Sequence, residues 1–215
     1  MTNIINKTEA LVKSLFAHET TGHDWWHIDR VRNNALYIAE KEGADVVICE
    51  LAALLHDVAD DKLNASKAEG QQKLMDIFAK IDLKEDAKIK ILDIIDHMSF
   101  RGGQNPPLET LEAQVVQDAD RLDAIGAIGI ARAFTFAGAR GNVMHDPDAT
   151  YVQKSQEEYL KRQATAIEHF YDKLLKLKDL MNTKTAKELA TERHQRMETF
   201  LKDFYEEWQP GRRTE

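Results

Sequence analysis

The chain has 215 residues, 43% of them hydrophobic and 31% charged, which is enough apolar material for one full core in a water-compatible balance. Its 37 acidic and 29 basic side chains leave a formal charge of −8, which excludes a broad cationic surface for DNA or RNA but leaves room for a local anion site. The one cysteine, Cys49, lies inside an apolar run, so neither a disulfide nor a thiolate metal site can be built within one chain.

The opening stretch MTNIINKTEALVKSLF carries charged residues every few positions, without an apolar leader-like core. No run approaches the roughly 18 apolar residues a membrane span needs. The expected location is the cytoplasm, with no membrane partner.

Residues 3 to 19 place Ile4, Ile5, Leu11, Val12, Leu15 and Phe16 near a 3.6-residue period, the mark of an amphipathic helix. Asp24 is the expected N-cap of a second helix that runs through WWHIDRVRNNALYIAEKEG and stops at Gly43, with Ile28, Val31, Ala35, Ile38 and Ala39 inward. Trp25 and Trp26 fit the core or its rim. Asp45 caps a third helix whose residues, Val46 to Leu55, are apolar almost all round, so this is the expected buried centre.

Ser66 is the expected cap of a helix carrying Leu74, Met75 and Phe78. Another helix spans about 84 to 99, with Ile91, Leu92, Ile95 and Met98 inward and Lys90, Asp93 and His97 on the other face. Residues 101 to 107, RGGQNPP, read as a loop. From Leu108 the pattern is helical again, and GAIGIARAFTFAGA reads as a closely packed helix with Gly126 and Gly129 as contact points rather than turns.

Residues 138 to 150 form a turn-rich interval of the length often used for binding loops. Two long helices are expected after it, at 152 to 180 and 184 to 208. Their charged outer faces are read as solvated, with pairing of two copies into a homodimer as the alternative. Period-two alternation is absent, so the expected fold is all-α: one domain over residues 1 to 215, a helical bundle around the central helix, with the C-terminal helices packed on it or extending it.

The chemistry concentrates where the central helix ends, in His56, Asp57, Asp60 and Asp61. Buried imidazole and carboxylate need partners, and a divalent cation satisfies both. His27 can join them, and so can His23, four residues away on the same helical face. A further carboxylate can come from Asp118, Asp120 or Asp123, of which Asp123 is the candidate for pairing with an arginine and Asp118 for solvation. Mixed nitrogen and oxygen ligands suit Mn²⁺, Fe²⁺, Zn²⁺, Co²⁺ or Mg²⁺.

His27 with Arg30-Val31, then His56-Asp57, then Asp120 in DADRLD resembles the H…HD…D signature of the HD-domain metal-dependent phosphohydrolases. GHDWWHIDRV and HFYDKLLKL are similar to phrases of the small stand-alone bacterial YpgQ/YedJ-like branch. The resemblance implies an all-helical HD bundle in which His27, His56, Asp57 and Asp120 bind one divalent ion. Manganese is favoured, with Mg, Co, Fe, Ni or Zn as alternatives. Asp123 stands behind these ligands.

The stretch HDVADD is also similar to the HDxxED run of alarmone-hydrolysing members, with Asp60 in place of glutamate. The resemblance implies that Asp60 or Asp61 orients the attacking water. Cationic groups to hold phosphates are then sought in His23, Lys62, His97, Arg101, Arg140 and Lys173. His145 and His169 are weaker candidates.

For this branch the implied activity is hydrolysis of nucleoside or deoxynucleoside triphosphates to monophosphate and pyrophosphate. The partner would be a small-molecule nucleotide, not a nucleic-acid polymer. The rival enzyme readings are a 5′-nucleotidase or an alarmone hydrolase. The rival from another class is a non-catalytic nucleotide- or metal-sensing helical module.

Overall fold

In the computed structural model the described residues are 2–17, 22–60, 63–98, 107–148 and 164–210. Among them there is no strand. The helices are α1 (Thr2–Leu15), α2 (Trp25–Glu42), α3 (Val46–Leu55), α4 (Lys67–Lys80), α5 (Glu85–His97), α6 (Leu111–Asp123), α7 (Gly126–Ala139), α8 (Ala166–Asp172), a 3-10 helix (Leu174–Leu180) and α9 (Lys184–Trp208). No single helix among the described residues is long and apolar enough to cross a membrane.

The central position of α3 follows from its composition. Ile48 to Leu55 are all buried, including Cys49, and α1, α2, α5 and α6 pack around them. Asp45 starts the helix, its carboxylate accepting from the backbone N–H of Val47 at 3.0 Å and of Ile48 at 3.2 Å. Asp24 caps α2 in the same way, accepting from His27 N–H at 2.9 Å. Beyond Glu42, Gly43 adopts the left-handed conformation at φ 77°, as expected of a C′ glycine. All five residues expected on the inner face of α2 are buried.

Several local expectations are corrected. Residues 164 to 180 are not the end of one long helix. A capping box starts α8: Thr165 Oγ1 accepts from Glu168 N–H at 3.0 Å, and the Glu168 carboxylate accepts from Thr165 N–H at 2.9 Å. The chain then breaks at Lys173 and tightens into the 3-10 helix, whose three-residue repeat buries Leu174 and Leu177 on one side. The part of the expected helix before residue 164 lies outside the described residues.

Gly126 is a turn as well as a contact. Its φ of 76° separates α7 from α6, and a Cβ there would stand 2.9 Å from Arg193 Cβ. Of the apolar residues of α4, Leu74, Ile77 and Phe78 are buried and Met75 is exposed. Trp25 is buried but Trp26 is 62% exposed.

The stretch after α7 is docked: the carbonyls of Val143 and Met144 accept from the N–H groups of Ala166 and Ile167. His145 sits edge-on to Phe204, Tyr205 and Trp208 of α9, in an aromatic cluster with Phe134, Phe170 and Phe200. The described part of that interval is therefore packed against the C-terminal helices.

Candidate metal centre

α2 lies along both α3 and α6, and this brings together side chains nearly a hundred positions apart. His27 projects from the first turn of α2, where the Asp24 cap fixes the helix start. His56 is the C-cap of α3 and still helical, so it and Asp57 stay at the buried end of the apolar helix. Asp120 comes from the last turns of α6. Asn64 ties down the turn after Asp57, its amide donating to the carbonyls of Val58 at 3.0 Å and Asp60 at 2.8 Å.

The donor atoms converge. His27 Nε2 lies 3.2 Å from His56 Nε2, 3.3 Å from Asp57 Oδ2 and 3.6 Å from Asp120 Oδ1. His56 Nε2 is 3.3 Å from Asp57 Oδ1 and 4.0 Å from Asp120 Oδ1. Ligand atoms each about 2.1 Å from a common ion stand about 3.0 Å apart at right angles and about 3.4 Å at the tetrahedral angle. The separations among His27, His56 and Asp57, at 3.2 to 3.3 Å, fall in this range, and those to Asp120, at 3.6 and 4.0 Å, are wider.

Tautomers make the fit chemical as well as geometric. His56 Nδ1 lies 2.8 Å from the Ala53 carbonyl, which can only accept, so this nitrogen carries the proton and Nε2 presents a lone pair. His27 Nδ1 lies 2.7 Å from Asp123 Oδ2 and donates to it, again leaving Nε2 as a lone pair. Two imidazole lone pairs and two carboxylates thus face one small space, an arrangement that calls for a cation.

In the metal-free centre a proton competes with a cation for the His27 Nε2 lone pair. Burial works against a proton on His27, yet hydrogen bonds to Asp123 and Asp57 outweigh it and raise the pKa to about 9. Burial also opposes ionisation of Asp57, but its electrostatic coupling to His56 and hydrogen bonds from His23 and His27 hold its carboxyl well below the usual range. The centre has an open side: His27 is wholly buried, whereas the Asp120 side chain is 38% exposed.

His23 joins the cluster through its neighbour, not through a lone pair. Its Nδ1 donates to Asp57 Oδ2 at 2.8 Å, which steers that carboxylate. Among the described residues, the other expected phosphate-holding groups are not gathered in the same way. His97 is exposed and engages Asp93 on its own helix, Arg140 lies over the Phe136 ring, and Lys173 sits half-buried at the break between α8 and the 3-10 helix. Asp60 is half-buried one residue past the ligand turn, its N–H bonded to the Asp57 carbonyl. Asp61, Lys62 and Arg101 lie outside the described residues.

The three aspartates of DADRLD go three ways. Asp120 faces the ligand cluster, and Asp123 accepts from His27, from Arg30 through two nitrogens, and from Arg132 at 2.8 Å. Asp118 is not solvated but fully buried. It accepts from the backbone N–H groups of Asn182 and Thr183, the Thr183 hydroxyl and the Asn182 amide, so it anchors the start of α9. Burial alone would raise its carboxyl strongly, and these bonds hold the rise back. The sequence reading missed Arg132, although a lone charge in the otherwise apolar and small α7 was the available signal.

The family model described as the HD domain matches residues 25–125. The chain is 43% identical to YpgQ of Bacillus subtilis over 193 residues, 89% of this chain and 87% of that one. The structure of YpgQ in complex with ADP is similar at TM-score 0.77, covering 96% and 98% of the two chains. A crystal structure from Lactobacillus plantarum is similar at TM-score 0.86 and 41% identity, covering 97% and 98%. An HD-superfamily hydrolase from Bacillus thuringiensis is 43% identical at TM-score 0.76, covering 96% and 97%. With its two histidines and two aspartates meeting at the end of a buried helix, the chain belongs to the HD-domain family and is a metal-dependent phosphohydrolase.

Proposed function

We propose that this phosphohydrolase cleaves nucleoside or deoxynucleoside triphosphates between the α and β phosphates, releasing monophosphate and pyrophosphate, with manganese as its ion. The observation that carries the reading is the convergence of His27, His56, Asp57 and Asp120 on one space left open at Asp120. The nucleotide class is supported by the ADP held by YpgQ, and the cleavage position by the resemblance to that branch.

His27, His56, Asp57 and Asp120 would hold the ion. When bound, a divalent cation generates a hydroxide nucleophile near neutral pH and neutralises phosphate oxygens. Asp57 is kept ionised by its coupling to His56 and by its bonds to His23 and His27, so it remains an oxygen donor. Asp60 or Asp61 aligns the attacking water and takes its proton, while Lys62, His97, Arg101, Arg140 and Lys173 are the candidates for binding the outer phosphates. His23 has its Nδ1 committed to Asp57 and its other ring nitrogen available to a phosphate oxygen.

The test is direct. Purified protein is incubated with Mn²⁺ and a panel of nucleoside mono-, di- and triphosphates, and released phosphate is separated from pyrophosphate. Pyrophosphate with matching monophosphate is the expected result. Orthophosphate as the sole inorganic product would rule out cleavage between α and β and leave a nucleotidase.

A further inference from the structure

Asp123 gathers more positive charge than one carboxylate needs. Arg30, on the same helix as His27, already grips it through Nε at 2.6 Å and a terminal nitrogen at 3.0 Å. Arg132 reaches the same Oδ2 that accepts from His27, but from another helix, and does a second thing: its other terminal nitrogen donates to the Gly22 carbonyl at 2.8 Å. Gly22 is in the left-handed region at φ 93° and immediately precedes His23. The same guanidinium is thus bonded to the carboxylate behind His27 and to the turn that delivers His23 to Asp57. It is largely buried, at 19% side-chain exposure.

We propose that Arg132 is a positioning residue of the metal centre, a bridge from α7 that holds the Asp123–His27 pair and the Gly22–His23 turn in register so that His27 Nε2 and Asp57 face one ion. The geometry distinguishes this from simple charge neutralisation. A planar guanidinium can serve two acceptors at fixed separation, whereas an ammonium in the same place is a point charge on a flexible stem. Arg30 supplies charge to Asp123 but has no described bond to the Gly22 turn.

This rests on the reading of His27 as a metal ligand, and the experiment separates the two claims. Arg132→Met, Arg132→Lys and His27→Ala are prepared metal-free beside the parent chain. Circular dichroism is used to confirm helical content, Mn²⁺ affinity is measured by calorimetry, and the visible spectrum is recorded with Co²⁺. Disturbing groups that orient metal ligands typically lowers affinity about 10- to 100-fold.

Arg132→Met is expected to bind Mn²⁺ about tenfold or more weakly and to show a changed Co²⁺ spectrum, and Arg132→Lys to fail to restore either. Should Arg132→Met not fold, Arg132→Lys decides alone, since it keeps the charge and loses the bridge. Parent-like affinity and spectrum in Arg132→Lys would overturn the bridging role while His27→Ala still abolished binding. Unchanged binding in His27→Ala would instead overturn the ligand assignment itself.

Discussion

His27 Nδ1 and Asp123 Oδ2 are 2.7 Å apart, although ninety-six positions separate the two residues. In the neutral ring that bond decides which imidazole nitrogen keeps its proton and hence which can face a metal. It also places a carboxylate with no evident access to the ion at the root of the site's chemistry. Replacing Asp123 with Asn is expected to leave Arg30 and Arg132 without their anion and to let His27 choose the other tautomer. Mn²⁺ affinity should fall about 10- to 100-fold in calorimetry. The metal-free protein should lose about 3 kcal/mol in urea unfolding, because a buried charge pair is broken from one side.

Asp57 and the acidic residues that follow it should separate binding from turnover. Asp57→Ala is expected to lose metal and hydrolysis together, whereas Asp60→Ala or Asp61→Ala should retain bound Mn²⁺ by atomic absorption while turnover drops about 100-fold or more. Full metal-dependent hydrolysis by Asp57→Ala would refute the ligand set.

The His27 pKa of about 9 has a definite sign in stability. A raised folded value adds stability in full below the ordinary 6.5, and that contribution disappears as pH climbs through about 9. The unfolding free energy of metal-free protein should therefore decline between about pH 7 and pH 9.5, and less steeply in His27→Gln. Mn²⁺ must displace the same proton, so its apparent affinity should rise with pH across this window. Calorimetry at about pH 8 in buffers of different ionisation enthalpy should show release of about one proton. Binding that is indifferent to pH in this range would contradict the coupling.

Removal of the ion should register as lost stability, since a ligand that binds only the folded state stabilises by mass action, about 2.7 kcal/mol at a hundred times Kd. Chelator should lower the thermal midpoint of the parent chain and leave that of Asp57→Ala where it was. An equal response in both would place the stabilising ion elsewhere.

Asp118→Ala tests a purely architectural carboxylate on the same helix. It strips partners from the Asn182 and Thr183 N–H groups at the start of α9, and buried donors left unpaired cost about 1 to 3 kcal/mol each. A loss of about 3 kcal/mol or more in denaturant unfolding is expected. Folded Asp118→Ala should keep parent-like Mn²⁺ affinity, in contrast to Asp123→Asn.

Much of this molecule was legible in local pattern. The caps Asp24, Asp45 and Ser66, the glycine stop at Gly43 and the apolar run of α3 each act within a few residues, and all appear where expected. His56-Asp57 at the end of that run announced a buried polar site, because an unpartnered imidazole and carboxylate in a core would be too costly. The capping box of α8 was equally local, but the leucine-rich stretch hid it behind an apparent single helix.

The division of labour among Asp118, Asp120 and Asp123 could not be read in this way. With about 100° per residue, Asp120 and Asp123 point about 200° and 140° away from Asp118 around α6, so Asp118 faces one side of the helix while the other two face His27 from its opposite sides. What each one meets depends on which distant helix packs there. The start of α9 claims Asp118, the joined ends of α2 and α3 claim Asp120, and two arginines with His27 claim Asp123. Sequence alone offered three carboxylates on this helix, with Asp120 singled out as a metal ligand by the resemblance. Tertiary packing decided what each of the three meets, because a side chain's surroundings at 3 Å are set by what the fold brings opposite it.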